Sequence, residues 1–367
     1  MYLKPSRRKK MRKRTTIIII AAVAAAVALA CVFLFTDVSS LFSDITLKEL
    51  EKPISEDVTA SSNGILFRDG AKLVLLDKNG KNIWDLKLES EDSSFASSET
   101  LICSYSQKTL TALSYTKEQL FTTAMDSDIL KVSCGKEYIA VLTSIVNAEN
   151  GKTQYAVYLF NTKGEKIGPL EFSMRQVIDF GFNGDNDMFW ALSLDNSGIV
   201  PVSYVATFNT DGTMTGSIEV NTQIVEKVYV TDSSIFALGT NNMTSYSYFG
   251  EKQADVLIYG WRPFNASVTD QQLKIACVSR TDVASIDSAR IFSTDLTDTM
   301  VHLPRNIFYV AITQKKLYAF SPTNIYTYSD TGELEKTQKV QIDKVKQVSD
   351  DCAIVWDKSK SYIMHLS

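Results

Sequence analysis

Histidine is scarce in this chain: of 367 residues only two are histidine, His302 and His365. Each lies in an apolar, strand-like stretch, where a single histidine is typically structural. No His-x-His or His-Glu-x-x-His spacing occurs, which excludes the common zinc sites, and there is no Gly-x-Ser-x-Gly elbow of a serine hydrolase. We therefore expect a protein that is not an enzyme and that holds neither a metal nor a cofactor.

Cysteine is present without the spacing that its chemistry requires. The five cysteines include no Cys-x-x-Cys pair, which argues against thiol redox work and against zinc binding. Cys103, Cys277 and Cys352 occupy similar apolar stretches far apart in the chain, as in successive copies of one repeat. Side chains at matching repeat positions point the same way in separate units, so these three cysteines are not expected to meet. We expect free, buried thiols that act as small hydrophobic residues, even in an outward-facing domain that could oxidise them.

Positive charge is scarce outside the N-terminus. The first fourteen residues hold eight of the 38 basic residues and no acidic one. The remaining 30 basic residues face 42 acidic ones, so the rest of the chain has a net charge of −12. An acidic body repels polyanions, and we therefore expect no nucleic acid among the partners.

One long apolar run follows the basic cluster, from Ile17 to Phe35. A helix of this length spans about 28 Å, close to the roughly 30 Å hydrocarbon core of a bilayer. Basic residues before the run and Asp37 and Asp44 after it orient the N-terminus inward. We predict a basic cytoplasmic tail (1–16), a transmembrane signal-anchor helix in the lipid bilayer (17–35), a linker (36–44) and an extracytoplasmic domain (45–367) of a single-pass protein of the cell membrane.

Two alternatives to an uncleaved anchor stay open. Ala28, Leu29 and Ala30 resemble the small-x-small site of a cleaved secretory signal, and Cys31 follows them as in a lipoprotein. Both alternatives are weakened because four apolar residues, 32–35, continue the run beyond the cut.

The rest of the chain repeats one hairpin. Residues 77–80, Asp-Lys-Asn-Gly, separate an apolar run from a second strand-like stretch, and similar turns end at Gly164, Gly212 and Gly332. A tight hairpin needs a residue at positive φ, which glycine adopts freely. Further turns fall at Gly250 and, in degenerate form, near Glu118 and Leu296.

The spacing of these turns predicts an all-β fold. Gly80 and Gly164 are 84 residues apart, and Gly212 and Gly332 are 120 apart, so the period is near 40. A period near 40 with four strands per unit is typical of a β-propeller. We count eight blades, with seven as the alternative. The last unit supplies only three strands, and we expect residues 45–50 to be its outer strand, so that the two ends close the ring.

The sequence also resembles known propellers. Asp77, Gly80 and Trp84 resemble the repeat of PQQ-type propellers, although only this unit keeps the tryptophan, so a quinone cofactor is not expected. The whole layout, a basic tail, one apolar span and then turn-rich repeats, resembles an uncharacterised family of Gram-positive membrane-anchored propellers with PQQ-like or WD-repeat-like blades. That resemblance implies a fold and a topology, and it implies no activity.

The most suggestive candidate site is a stretch that we interpret as a loop, 260–264. Its Trp261, Arg262 and Phe264 are candidate ligand-binding residues, because they offer large area and a planar cation. They suit a packed connection between blades equally well. Residues 183–187 alternate oxygen ligands like a calcium loop, but Met188 stands where the loop glycine belongs, and we interpret them as an ordinary turn.

These observations favour a non-enzymatic, membrane-anchored, extracytoplasmic β-propeller that acts as a protein-interaction scaffold at the cell envelope. Its expected partner is an envelope protein. The alternative is a glycan-binding or glycan-active propeller that uses the aromatic side chains near Trp261. A quinone-dependent oxidoreductase is a third and weaker hypothesis.

Overall fold

Eight antiparallel sheets of four strands each surround a central channel in a computed structural model of the chain. The structure describes residues 46–146, 151, 153–172, 175–184, 188–282, 284–358 and 360–366. The predicted cytoplasmic tail, transmembrane helix and linker lie outside these residues. No helix within the described ranges is long and apolar enough to cross a bilayer.

The first four blades, numbered along the chain, follow directly after a short strand, β1 (Leu47–Glu49). Their strands are β2 (Val58–Ser61), β3 (Gly64–Asp69), β4 (Lys72–Leu76) and β5 (Asn82–Lys87) in blade 1; β6 (Ser94–Ser97), β7 (Leu101–Ser106), β8 (Thr109–Ser114) and β9 (Gln119–Ala124) in blade 2; β10 (Ile129–Cys134), β11 (Tyr138–Val146), β12 (Thr153–Asn161) and β13 (Lys166–Glu171) in blade 3; and β14 (Gln176–Phe182), β15 (Met188–Asp195), β16 (Val202–Asn209) and β17 (Met214–Val220) in blade 4.

The other four blades complete the ring. Their strands are β18 (Val225–Val230), β19 (Ile235–Gly239), β20 (Asn242–Tyr246) and β21 (Lys252–Leu257) in blade 5; β22 (Trp261–Val268), β23 (Leu273–Ser279), β24 (Ser288–Ser293) and β25 (Asp298–His302) in blade 6; β26 (Tyr309–Ile312), β27 (Lys316–Phe320), β28 (Asn324–Ser329) and β29 (Leu334–Lys339) in blade 7; and β30 (Lys344–Ser349), β31 (Cys352–Asp357) and β32 (Lys360–His365) with β1 in blade 8. The eight-blade count is confirmed, and the seven-blade alternative is wrong. The first strands of most neighbouring blades contact one another. This places them at the centre of the ring, and we call them inner strands.

The repeated turn joins the third and fourth strands of blades 1 to 7. Its key residue has positive φ in all seven, including the two positions without glycine, Lys117 (φ 69°) and Leu296 (φ 65°). In every copy this residue donates its N–H to the carbonyl three positions earlier, for example from Gly80 to Asp77 at 2.9 Å. The hydrogen bond and the reversed φ keep the turn geometry where the glycine signal is lost.

The ring is closed by its two ends, as the sequence predicts. Strand β1 pairs antiparallel with β32, with Leu47 opposite Met364, and takes the outer position in blade 8. Just beyond β1, the N–H of Leu50 donates to the carbonyl of Ser361 at 2.9 Å. The backbone N–H of Ile54 donates to the hydroxyl of the same serine at 3.1 Å. Blade 8 is therefore built from both ends of the described domain.

The core lies between the blades. Eight buried apolar clusters are present in the described residues, one for each pair of neighbouring blades. The cluster at the closure joins blade 8 to blade 1 and includes Leu50, Ile65, Ile354 and Ile363. No blade can bury its apolar faces alone, so each depends on both neighbours.

Leu50→Ala tests the closure. Leu50 is 6% exposed and packs over the turn at Gly80 in blade 1 and against blade 8. We expect its truncation to lower the free energy of unfolding by about 2–4 kcal/mol, the usual range for a buried leucine. The measurement is equilibrium unfolding in urea, with Leu334→Ala as the control because Leu334 is 54% exposed on an outer strand. Equal effects of the two substitutions would contradict the role of Leu50.

Candidate functional site

The two flat faces of the ring differ in construction. Ile129, at the start of inner strand β10, pairs with Thr143 near the end of β11, so inner strands begin on the face where second strands end. We call this face, which also carries the connection between β15 and β16 (196–201), the loop face. The opposite side, where the inner strands end and the repeated turns lie, is the turn face.

Exposed apolar side chains are concentrated on the loop face of blades 3 to 6. In the described part of the chain, thirteen large apolar residues are exposed, and five of them, such as Leu334, are scattered over outer strands. One of the exposed apolar residues in the described ranges, Phe249, lies on the turn face. The remaining seven form what we call the apolar surface: Leu130, Val146, Ile178, Ile199, Val200, Ile224 and Tyr259.

Bulges in the inner strands explain two of these exposures. The pairing register shifts between Ile129 and Lys131 in blade 3 and between Val177 and Asp179 in blade 4. The extra residues, Leu130 and Ile178, leave the ladder and are 48% and 42% exposed. A bulge re-aims a side chain in this way and is a common device at functional surfaces. A third bulge, in blade 5, places Glu226 at the equivalent position.

An ionic clasp joins the three bulged strands. Lys131 and Lys227, from blades 3 and 5, donate through Nζ to the two carboxylate oxygens of Asp179 in blade 4, at 2.6 and 2.7 Å. The side chain of Asp179 is 18% exposed. Burial by itself would raise the pKa of Asp179, but the hydrogen bonds from both lysines outweigh it, so the pKa lies below its ordinary value. The clasp holds the inner strands of blades 3 to 5 in a defined spacing.

Charged groups border the apolar surface. Nη2 of Arg280 lies 2.7 Å from the carboxylate of Glu226, which ties the blade 5 bulge to the loop that follows β23 in blade 6. The guanidinium of Arg175 stacks 3.5 Å from the ring centre of Tyr204 at the loop-face end of blade 4. An apolar centre with a polar, charged border has the general composition of a protein interface.

The sequence-predicted site lies in a strand, so the loop interpretation is wrong. Trp261, Arg262 and Phe264 belong to inner strand β22 of blade 6. Trp261 packs against the cluster between blades 5 and 6, whereas Phe264 packs edge-on against Tyr309 between blades 6 and 7, with ring centres 5.4 Å apart. Successive strand residues point to opposite sides, which separates them. Arg262 stays with Phe264, 5.6 Å from its ring centre. A ligand-binding role for the three stays a prediction.

A polar cavity opens on the turn face at the end of the channel. Its volume is about 370 Å³, and its lining includes Ser98, Glu99, Cys134 and Lys136. A second cavity of about 260 Å³ along the channel wall shares Cys134 with it. The described residues contain no group of three His, Cys, Asp or Glu side chains that could hold a metal ion. The calcium-loop comparison lies partly outside the described residues, since 185–187 are among those not described.

No protein-family model matches this chain, and no curated protein matches it in sequence. Solved propellers match its fold. BamB from Moraxella catarrhalis aligns with a TM-score of 0.52 and 8% identity over 88% of this chain and 100% of that one. The WD40 domain of SCAP from fission yeast aligns with a TM-score of 0.58 and 12% identity over 88% of this chain and 97% of that one. The C-terminal WD40 domain of Sif2 aligns with a TM-score of 0.55 and 14% identity over 88% of this chain and 98% of that one.

The protein is an eight-bladed β-propeller, and its fold is similar to those of BamB and of the WD40 domains. At these identities the similarity shows the fold alone. The narrower resemblance to Gram-positive membrane-anchored propellers stays a prediction.

Asp179→Asn tests the ionic clasp. We expect the free energy of unfolding to fall by about 2 kcal/mol at pH 7, because two charge-assisted hydrogen bonds are weakened. The folded-state pKa of Asp179 is lowered, so its contribution is present above the ordinary aspartate pKa of about 3.9 and is lost as the pH falls through the lower, folded-state value. The difference in the free energy of unfolding between wild type and Asp179→Asn should therefore disappear in acid, as measured by urea unfolding from pH 7 downward.

The control for the clasp is Asp85→Asn. Asp85 pairs with Lys72 at 3.2 Å, but both side chains are about half exposed, so little change is expected. A gap between wild type and Asp179→Asn that persists unchanged into acid would contradict the ionic origin of the effect.

Proposed function

We propose that this protein is a membrane-anchored, extracytoplasmic β-propeller that acts as a non-enzymatic protein-interaction scaffold at the cell envelope. The observation that carries the proposal is the uneven distribution of exposed apolar side chains. Among the described residues, seven of these side chains lie on the loop face of blades 3 to 6, and one lies on the turn face. Exposed apolar surface with a polar border marks interaction sites in soluble domains.

The construction of the apolar surface supports a protein partner. Leu130 and Ile178 project from bulges whose strands are joined by the Asp179 clasp, so their positions are set before binding. A preformed surface loses little conformational entropy on association. The bordering charges are of both signs, as the pair of Arg280 and Glu226 shows, and such a border favours a protein surface of complementary charge.

The topology in the proposal rests on the sequence. The apolar run from Ile17 to Phe35 is long enough to span a bilayer, and the basic residues before it favour a cytoplasmic N-terminus. This arrangement presents the acidic propeller to the envelope, where an anchored scaffold meets its partner in the plane of the membrane.

Photocrosslinking tests the docking surface. A photoreactive amino acid is placed at Ile178 or Leu130 of the full chain in cells, and at Leu334 or Met300 as controls, since these two are exposed on outer strands. We expect a discrete crosslink to an envelope protein from the first pair and none from the controls. Crosslinks of equal yield from all four positions, or to lipid alone, would refute the assignment.

Charge insertion provides the quantitative form of this test. With the photoreactive residue at Leu130, Ile178→Asp should weaken recovery of the crosslinked partner by tenfold or more. Loss of an interface hot spot costs about 2 kcal/mol or more, against about 1.4 kcal/mol for a tenfold change, and a buried charge adds a penalty. Leu334→Asp should leave recovery unchanged. Equal recovery with both variants would count against the apolar surface.

Protease protection tests the topology. With a C-terminal tag on the full chain, we expect the tag to be digested in intact spheroplasts and the chain to stay in the membrane fraction after carbonate extraction. Cys31→Ser distinguishes a signal-anchor from a lipoprotein. An uncleaved anchor helix has the same length and stays in the membrane with or without this substitution, whereas a lipoprotein precursor is no longer cleaved and lipidated when its cysteine is replaced. A mature N-terminus at Cys31, or release into the medium, would overturn the signal-anchor.

A further inference from the structure

Two cysteine residues lie on adjacent strands in the apolar layer between blades 2 and 3. Cys103 lies in β7, the second strand of blade 2, and is fully buried. Cys134 is the last residue of β10, the inner strand of blade 3, and is partly exposed. Both belong to the apolar cluster between these blades, where β10 packs against β7, and the Cys134 thiol is near enough to raise the pKa of the Cys103 thiol. All four described cysteines are free thiols.

The surrounding hydrogen bonds hold this contact in place. The hydroxyl of Ser98, in blade 2, donates to the carbonyl of Gly135 at 2.6 Å, directly after Cys134. The hydroxyl of Thr100 donates in the same way to the carbonyl of Lys136. Two side chains of blade 2 thus hold the backbone that follows Cys134 close to the blade that carries Cys103.

The two thiols differ in access. Cys134 lines both the cavity on the turn face and the one along the channel wall, so a small molecule in the channel can reach it. Cys103 lines neither and is 0% exposed. Burial raises the pKa of the Cys103 thiol well above its usual range, and the neighbouring Cys134 thiol adds to the rise. Cys134 is therefore the thiol that an oxidant in the channel reaches first, and Cys103 is the neighbouring thiol that remains to react with the product.

We propose that Cys103 and Cys134 form a dithiol–disulfide couple that links blade 2 to blade 3. The oxidant is a low-molecular-weight disulfide. The thiolate of Cys134 attacks one sulfur of that disulfide, forms a mixed disulfide and releases one small thiol. Cys103 then loses its proton and attacks the Cys134 sulfur, which releases the second small thiol. Two protein thiols are oxidised to one disulfide, and one small disulfide is reduced to two thiols.

This couple lies away from the apolar surface. Cys134 ends its inner strand at the turn face, whereas Leu130 is near the start of the same strand at the loop face. The bond would close a loop across a blade boundary and restrict the unfolded chain, which stabilises the folded ring. If the disulfide does not form, the proposed docking function is unaffected. If the apolar surface binds no partner, the proposed couple is unaffected.

Peptide mapping after controlled oxidation tests the couple. The purified full chain is reduced, freed of reductant, incubated with oxidised glutathione and quenched in acid with an alkylating agent. Mass spectrometry of the digest should show one crosslinked peptide pair that joins Cys103 to Cys134 with the loss of two hydrogens. Cys277→Ser is the matched control and should keep this crosslink, because Cys277 is buried between blades 5 and 6.

Single substitutions separate the two steps. In Cys103→Ser the mixed disulfide with glutathione should accumulate on Cys134, and in Cys134→Ser the Cys103 thiol should stay reduced. Cys103→Ala repeats the first test with a smaller, apolar side chain if the serine variant does not fold. Oxidation should raise the melting temperature of wild type and of Cys277→Ser, and it should leave that of the Cys103 and Cys134 variants unchanged. A stable glutathione adduct on wild-type Cys134, without the crosslink, would overturn the proposal.

Discussion

Burial of apolar surface between neighbouring blades is the constraint on which the whole structure depends. Each of the eight clusters in the described residues is shared by two blades, so a blade removed from the ring would expose both its faces. The same constraint explains the closure by β1. Without it, the last blade would lack its outer strand and the layer that Leu50 helps to fill between blades 8 and 1. Stability is therefore a property of the closed ring.

The channel wall serves a second purpose. Inner strands pack at their sides against the neighbouring blades, and bulges in these strands re-aim single side chains. In blades 3 to 5 the bulges expose Leu130 and Ile178 on one face, and the residues that follow them form the Asp179 clasp below. On the opposite face the ends of the inner strands carry polar turns and the accessible Cys134. One ring thus presents two chemically different faces.

Much of the fold could be read from local chemistry, and the candidate site could not. A turn glycine such as Gly80 marks a backbone conformation that depends on only four neighbouring residues. The spacing of these glycines along the chain therefore indicates the blades. Trp261 and Phe264 are only three residues apart, yet a strand and a bulge send them into different layers. Cys103 and Cys134 lie on non-equivalent strands of adjacent blades, so matching positions of the repeat do not reveal that they are neighbours.

By itself the sequence determined the all-β class, the four-stranded repeat and the way in which the ends meet, and it favoured eight blades over seven, because hairpin turns and strand alternation depend on neighbours in the chain. Only the tertiary structure decided which side chains share a face. The register of each inner strand, and the bulges that shift it, arise from packing against other blades, and such contacts join residues far apart in the chain. The apolar surface, the ionic clasp and the thiol pair all depend on those contacts, which is why none of them has a signature in the linear order of residues.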